Sequence, residues 1–199
     1  MRVVLATNSG GKIRELQALL MPLQIEVLPK SQFTKDEVAE TGTTFVENAL
    51  LKARHAARVS GLAAIADDSG IEVDALSGAP GIYSARYAGE NASDADNLNK
   101  MLDALKSVPD HLRSARYRCA LVYVTHADDP SPLCAEATWE GRITHVPMGE
   151  GGFGYDPIFW LDEQGQTSAQ ISAPLKNQLS HRAKALQQLV SLLRTQQSV

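Results

Sequence analysis

The feature that most constrains the fold is the change in hydrophobic period along the chain. Val3–Ala6 is a short β-branched and apolar run that reads as a buried strand. From Lys12 to Leu20, Ile13, Leu16, Leu19 and Leu20 recur at helical spacing, and Pro22 stops them. Ile25–Leu28 returns to a strand pattern. Thr44-Phe45-Val46-Glu47 is a capping box that predicts a helix to about Ser60, with Gly61 as its stop. Leu62–Ala66 reads as a buried strand ending at Asp67-Asp68-Ser69-Gly70. A helix over Ser93–Lys106 puts Leu98, Met101, Leu102 and Leu105 on one face. Ala115–Thr125 and Leu133–Trp139 then predict a long antiparallel pair, turned at Asp128-Asp129-Pro130. Ile158–Leu161 reads as a short strand. Ser180 caps a last helix to about Arg194, with Leu186, Leu189, Val190 and Leu193 facing inward. Early alternation followed by antiparallel strands means an α/β protein with a mixed sheet flanked by helices.

The chain has 199 residues, enough for a real core, and a single domain over 1–199 is expected. Its net charge of −4 argues against nucleic acid or an anionic membrane as the main partner, since either needs a broad basic face. A small phosphate ligand needs only a few cations in one pocket. Cys119 and Cys134 lie in apolar, strand-like surroundings and read as buried thiols, with neither disulfide nor metal spacing. The first residues carry no basic flank with an apolar core, so a cytoplasmic location is expected.

Four segments are candidates for chemistry. Gly149-Glu150-Gly151-Gly152-Phe153-Gly154-Tyr155-Asp156 lets backbone approach a flat or charged group; Phe153 could stack on a base while Asp156 accepts from its edge. A tight turn with its aromatics in the core is the alternative. Thr7-Asn8-Ser9-Gly10-Gly11-Lys12 joins a strand to a helix N-terminus, where amide groups, the helix dipole and Lys12 converge on an anion. It lacks the spacing of a Walker A loop, and a plain connection is the alternative. Asp67-Asp68-Ser69-Gly70 places carboxylates at the end of a strand; with Glu40 they could offer hard oxygens to Mg2+. Adjacent strand residues face opposite ways, so one of the two aspartates is expected to face a ligand. Lys176 and Ser180-His181-Arg182 put cations near a helix start, against the dipole, which hints at an anionic or electron-rich ligand. His55, His111, His126 and His145 have no partner spacing.

Taken in order, these pieces resemble a known family. Val4-Leu5-Ala6-Thr7 with Lys12, Thr44-Phe45-Val46-Glu47-Asn48-Ala49 with Lys52-Ala53, and Ala66-Asp67-Asp68-Ser69-Gly70 come first. Gly78-Ala79-Pro80-Gly81-Ile82-Tyr83-Ser84-Ala85-Arg86, Phe153-Gly154-Tyr155-Asp156-Pro157 and Ser180-His181-Arg182 follow. Each motif alone is weak, but six in order across nearly the whole chain are specific. The chain resembles the inosine/xanthosine triphosphate pyrophosphatases, also called the Ham1 or RdgB family.

The resemblance implies an elongated mixed sheet forming two lobes with a nucleotide cleft between them, and usually a homodimer. It implies Mg2+-dependent hydrolysis of ITP, dITP and XTP to the monophosphate and pyrophosphate, which keeps deaminated purines out of DNA and RNA. Carried over by motif, Thr7, Asn8, Ser9, Gly10, Gly11 and Lys12 would hold phosphate, with Lys52 a further cation. Asp68 would be the general base or a metal ligand, and Glu40 would help hold the metal. Ser69, Phe153, Gly154, Tyr155, Asp156, Lys176, His181 and Arg182 would contact the nucleotide. One departure is that the first loop usually carries Asn where this chain has Ser9. The rival readings are a Maf-like pyrophosphatase with other substrates and a non-catalytic nucleotide-binding protein. The Phe153–Asp156 and Ser180–Arg182 motifs argue against the first, and Asp68 with Glu40 against the second.

Overall fold

The computed structural model describes residues 2–197. Seven strands form one sheet in the order β2-β1-β3-β4-β5-β6-β7: β1 Arg2–Leu5, β2 Glu26–Pro29, β3 Ala64–Val73, β4 Ser114–Val124, β5 Leu133–Ile143, β6 Phe159–Leu161 and β7 Gln166–Thr167. Five helices accompany them: α1 Gly10–Leu20, α2 Phe45–Ser60, α3 Asp94–Ala104, α4 Ala173–Leu179 and α5 His181–Gln197. β1 is parallel to β2 and β3, whereas β6 is antiparallel to β5 and β7. The mixed α/β sheet read from the changing period is therefore present.

Packing groups the described residues into two compact units. The first holds the chain up to Asp68, Cys119–Ala137, and the chain from Arg182 onward; the second holds Ser69–Arg118 and Thr138–His181. Each has its own core. In the first, Val3 and Leu5 of β1, Leu16 and Leu20 of α1, and Leu186 and Leu189 of α5 pack with Ile65 and Leu121. In the second, Leu98 and Met101 of α3 pack with Ile71, Val73, Trp139, Ile158 and Phe159. Apolar burial on this scale is what opposes the entropy of ordering the chain.

Local signals set most boundaries. Thr44 accepts from the Glu47 amide while the Glu47 carboxylate accepts from the Thr44 amide, so both halves of the α2 capping box are made. Ser93 and Asp96 do the same for α3. Asp129 anchors the turn before β5, accepting from the amides of Thr125 and Ser131 at 2.8 Å each.

Three sequence expectations are corrected. The β3 strand does not end at Asp67; it runs through Asp67-Asp68-Ser69-Gly70 to Val73, because both carboxylates are neutralised and Ile71 and Val73 are drawn into a core. Residues 173–179 form a separate short helix, capped by Ser172, ahead of α5. Cys134 is exposed, on an outward position of β5, while Cys119 is buried.

Arg113 gave no sequence signal, yet its side chain is interior. Its guanidinium donates to the carbonyls of Leu105 at 2.6 Å, and of Ile143 and Thr144 at 2.8 Å each. It ties the end of α3 to the end of β5. Replacing it with methionine strands these buried acceptors, so Arg113→Met should lower unfolding stability by about 3 kcal/mol. Urea denaturation checks this; a variant within about 0.5 kcal/mol of wild type would remove Arg113 from the determinants of this unit.

Candidate functional site

In the first unit, the β1–α1 connection builds an anion-facing helix start. Ser9 is the α1 N-cap and its hydroxyl accepts from the Lys12 amide at 3.5 Å. Thr7 Oγ1 accepts from the Ser9 amide at 3.2 Å, and the Asn8 side-chain amide donates to Glu37. Gly10 and Gly11 lie in the first turn of α1, which carries no acidic residue. First-turn amides have no carbonyl within the helix to bond, so they point their hydrogens outward from its end.

Lys12 leaves that turn and its Nζ meets Asp67 Oδ1 at 2.5 Å. Asp67 is interior, 1% exposed. Its Oδ2 also takes Arg182 Nε at 3.1 Å and the Cys119 thiol at 3.1 Å. Arg182, itself 1% exposed, binds Glu15 of α1 through Nη1. Burial pushes the Asp67 carboxyl up, but the Arg182 and Lys12 charges outweigh it and hold the group well below the usual carboxylate range. Burial beside this carboxylate pushes the Cys119 thiol up.

Asp68, the next residue on β3, has a different cation. Lys52 Nζ lies 2.5 Å from Asp68 Oδ1 and 2.6 Å from Glu40 Oε1, so one ammonium gathers two carboxylates. Burial alone would lower the Lys52 pKa, but the charge of Asp68 and the bonds to both carboxylates raise it. Asp68 goes the other way: burial lifts its carboxyl above the ordinary value despite Lys52 and Lys12, and Glu40 adds to the lift. Asp68 Oδ2 is buried and has no hydrogen-bond partner. The two aspartates thus hold separate cations, as the alternation of a strand requires.

In the second unit Asp156 is the centre. Its Oδ2 accepts from the Phe153 amide at 2.8 Å and from Lys176 Nζ at 2.5 Å, and its Oδ1 from Ser168 Oγ at 2.8 Å and Tyr117 OH at 3.3 Å. Lys176 Nζ also sits 5.0 Å from the centre of the Phe153 ring, a cation–π distance. The Gly154 amide donates to Asp94 and the Tyr155 hydroxyl to the Ser84 carbonyl, both at 2.8 Å. Gly152 has φ +74°, and a Cβ there would run into the Asp156 carboxylate. The His181 ring stacks on Tyr117, with centroids 4.7 Å apart and planes 9° from parallel. Ser69 is half-buried on β3.

The structure brings Lys52, Glu40 and Asp68 together in the first unit, with Lys12 and Arg182 on the neighbouring Asp67, and gathers Phe153, Asp156 and Lys176 in the second, where His181 also lies. Sequence reasoning left out Glu15, Tyr117 and Ser168. Tyr117 sits in an apolar strand pattern and Ser168 in a loop, and neither position carries a signal.

A family profile settles the kinship: the Ham1 family matches residues 3–192. The chain belongs to the Ham1 family. It is 56% identical over 197 residues to the dITP/XTP pyrophosphatase of Vibrio cholerae serotype O1, covering 99% of this chain and 98% of that one. Among solved structures, a HAM1 protein from Coxiella burnetii aligns with a TM-score of 0.89 at 45% identity, covering 98% of this chain and 99% of that one. The Ham1 protein of Staphylococcus aureus aligns with a TM-score of 0.86 at 40% identity, covering 98% of this chain and all of that one.

Among the described residues, no three His, Cys, Asp or Glu side chains gather as a ready-made metal site. The first unit nevertheless fits Mg2+, which takes one or two carboxylates and leaves the remaining positions to water and substrate phosphate. Asp68 and Glu40 would be the hard donors, and the buried Asp68 Oδ2, which has no hydrogen-bond partner, is an acceptor that could meet a cation. Lys52 holds both in reach.

Arg182→Met leaves the buried Asp67 with one cation fewer, which should cost about 3–5 kcal/mol at neutral pH. The folded pKa of Asp67 is depressed, so its stabilisation is present above the ordinary carboxylate pKa and fades as pH falls toward the folded value. The wild-type contribution should therefore persist down to about pH 4 and fade only in stronger acid. Denaturant titrations across pH test this; a wild type no more stable than the variant at pH 7 would contradict it.

Proposed function

We propose that this chain hydrolyses non-standard purine nucleoside triphosphates, dITP, ITP and XTP, to the monophosphate and pyrophosphate. The observation that carries the reading is the Asp68–Lys52–Glu40 cluster, with a buried, unpartnered Asp68 oxygen, in a chain 56% identical to a dITP/XTP pyrophosphatase. We take residues 1–199 as one catalytic domain, working in the cytoplasm as a homodimer, with no nucleic acid or membrane partner. Tyr83 supports the dimer: it is 56% exposed, and the Arg86 guanidinium lies 5.2 Å from its ring centre, an aromatic and arginine pairing typical of interfaces. Among the described residues no helix is long and apolar enough to cross a membrane.

The triphosphate carries about four negative charges, and the Thr7–Lys12 helix start supplies amide donors and an ammonium to meet them. Asp68 and Glu40 would hold Mg2+, which when bound neutralises phosphate charge and polarises the phosphorus under attack. Asp68 would accept a proton from the attacking water at its unpartnered Oδ2. Water adds at the α-phosphorus, the bond to the α–β bridging oxygen breaks, and pyrophosphate leaves. Lys52 stays protonated across neutral pH and serves as a fixed positive charge beside the reacting groups.

The base falls to Ser69 and the second-unit residues Phe153, Gly154, Tyr155, Asp156, Lys176 and His181, with Arg182 next in the chain. Phe153 stacks, Asp156 shapes its loop, and His181 brings an N–H donor for a 6-oxo group, whereas the buried Arg182 guanidinium is taken up by Asp67 and Glu15. Hypoxanthine and xanthine present an acceptor there and adenine a donor, so adenine leaves a buried donor unpaired. Phosphorus NMR of a dITP digest should show dIMP and pyrophosphate, and a substrate panel should place dITP, ITP and XTP far above dATP. Release of orthophosphate through dIDP, or equal turnover of dATP, would sink the reading.

Asp68→Asn keeps the shape and removes the base. kcat should fall roughly 10²-fold or more. A variant within a few fold of wild type would move the role to another carboxylate.

A further inference from the structure

Glu40 stands at the end of a stretch without regular structure, residues 34–42, so something outside it must fix where the carboxylate lies. Lys30 holds Asp36 and Glu37 at the start of the stretch, and Asn8 also donates to Glu37; on the other side of Glu40 the contacts come from the first turns of α2. Glu47 Oε2 accepts from the Thr43 and Thr44 amides, which is the capping box, but this lies three and four residues past Glu40. Nearer to it, the Gly42 amide donates to Asn48 Oδ1 at 2.8 Å. The approach is tight: a Cβ on Gly42 would stand 2.6 Å from Glu47 Cβ and 2.7 Å from Asn48 Oδ1. Lys52, four residues on, shares the Asn48 face of α2 and grips Glu40 and Asp68.

Asn48 is 0% exposed, and its Nδ2 is buried without a hydrogen-bond partner. Donation from Gly42 dictates which end of the amide is oxygen, so the nitrogen is left over. A buried amide with an unmet donor works against stability, and leucine would fill the same space without that cost. What asparagine supplies there is the acceptor for Gly42. A polar group kept against its own local cost points to a requirement beyond packing.

We propose that Asn48 is a positioning residue for the metal-binding carboxylates: by holding the Gly42 backbone against α2 it sets Glu40 within reach of Lys52 and Asp68. This rests on the reading of Asp68 and Glu40 as metal ligands. Residues that orient ligands from behind typically change metal affinity 10–100-fold when lost.

The test uses the full-length protein with Mn2+ alone as the probe, titrated by electron paramagnetic resonance, beside hydrogen exchange of the Gly42 amide without metal. Asn48→Leu should weaken Mn2+ binding roughly tenfold and speed Gly42 exchange by a similar factor. Asn48→Asp keeps an acceptor and should restore both, which a purely structural role in the core does not predict. Gly42→Ala, with Asn48 intact, should push the segment off α2 and weaken Mn2+ binding likewise; it serves also if Asn48→Leu does not fold. Glu40→Gln is the reference. If Glu40→Gln weakens Mn2+ while Asn48→Leu and Gly42→Ala bind it as wild type does, the positioning role is overturned and the ligand reading stands. If Glu40→Gln itself binds Mn2+ normally, the ligand reading fails and takes the positioning role with it.

Discussion

The first unit depends on bringing two adjacent aspartates into the interior of a strand. An unpaired buried carboxylate would take up a proton or break the strand. Here Asp67 is met by Lys12 and Arg182, and Asp68 by Lys52. The same three cations come from the starts of α1 and α5 and from α2, so charge compensation also docks those helices on β3. The pairing divides the labour. Asp67, held ionised, is structural glue; Asp68, lifted in pKa with one oxygen unpartnered, keeps capacity for chemistry.

In the second unit a single carboxylate shapes the recognition loop. Asp156 takes four donors, from Phe153, Lys176, Ser168 and Tyr117, and is 2% exposed. Much of its hydrogen-bonding capacity is turned inward. Phe153 is held by the hydrogen bond from its amide to Asp156 and by the Lys176 ammonium near its ring, so this part of the loop is fixed by its own contacts.

What was legible in the sequence is what depends on near neighbours. The Thr44–Glu47 and Ser93–Asp96 boxes close within one turn, and both helices begin where those residues say. The Val3–Ala6 strand and the helix after it follow from period alone. The continuation of β3 was not legible, because the charges that permit it come from afar: Arg182 is 115 positions from Asp67 along the chain. α4 was missed because seven residues give too short a periodic signal. The candidate site was legible in residue types, since motif order carried Lys12, Asp68 and Phe153. Its wiring was not: nothing local marks Glu15 as the partner of Arg182 or Tyr117 as the platform for His181.

Gly152 and Asp156 carry a consequence for how this sequence can drift. A side chain at 152 needs a left-handed backbone and the space now filled by the Asp156 carboxylate. Shortening Asp156 to make room removes the carboxylate oxygen that Lys176 and the Phe153 amide both meet. A substitution at either position therefore disturbs the other, so the two are expected to vary together or not at all.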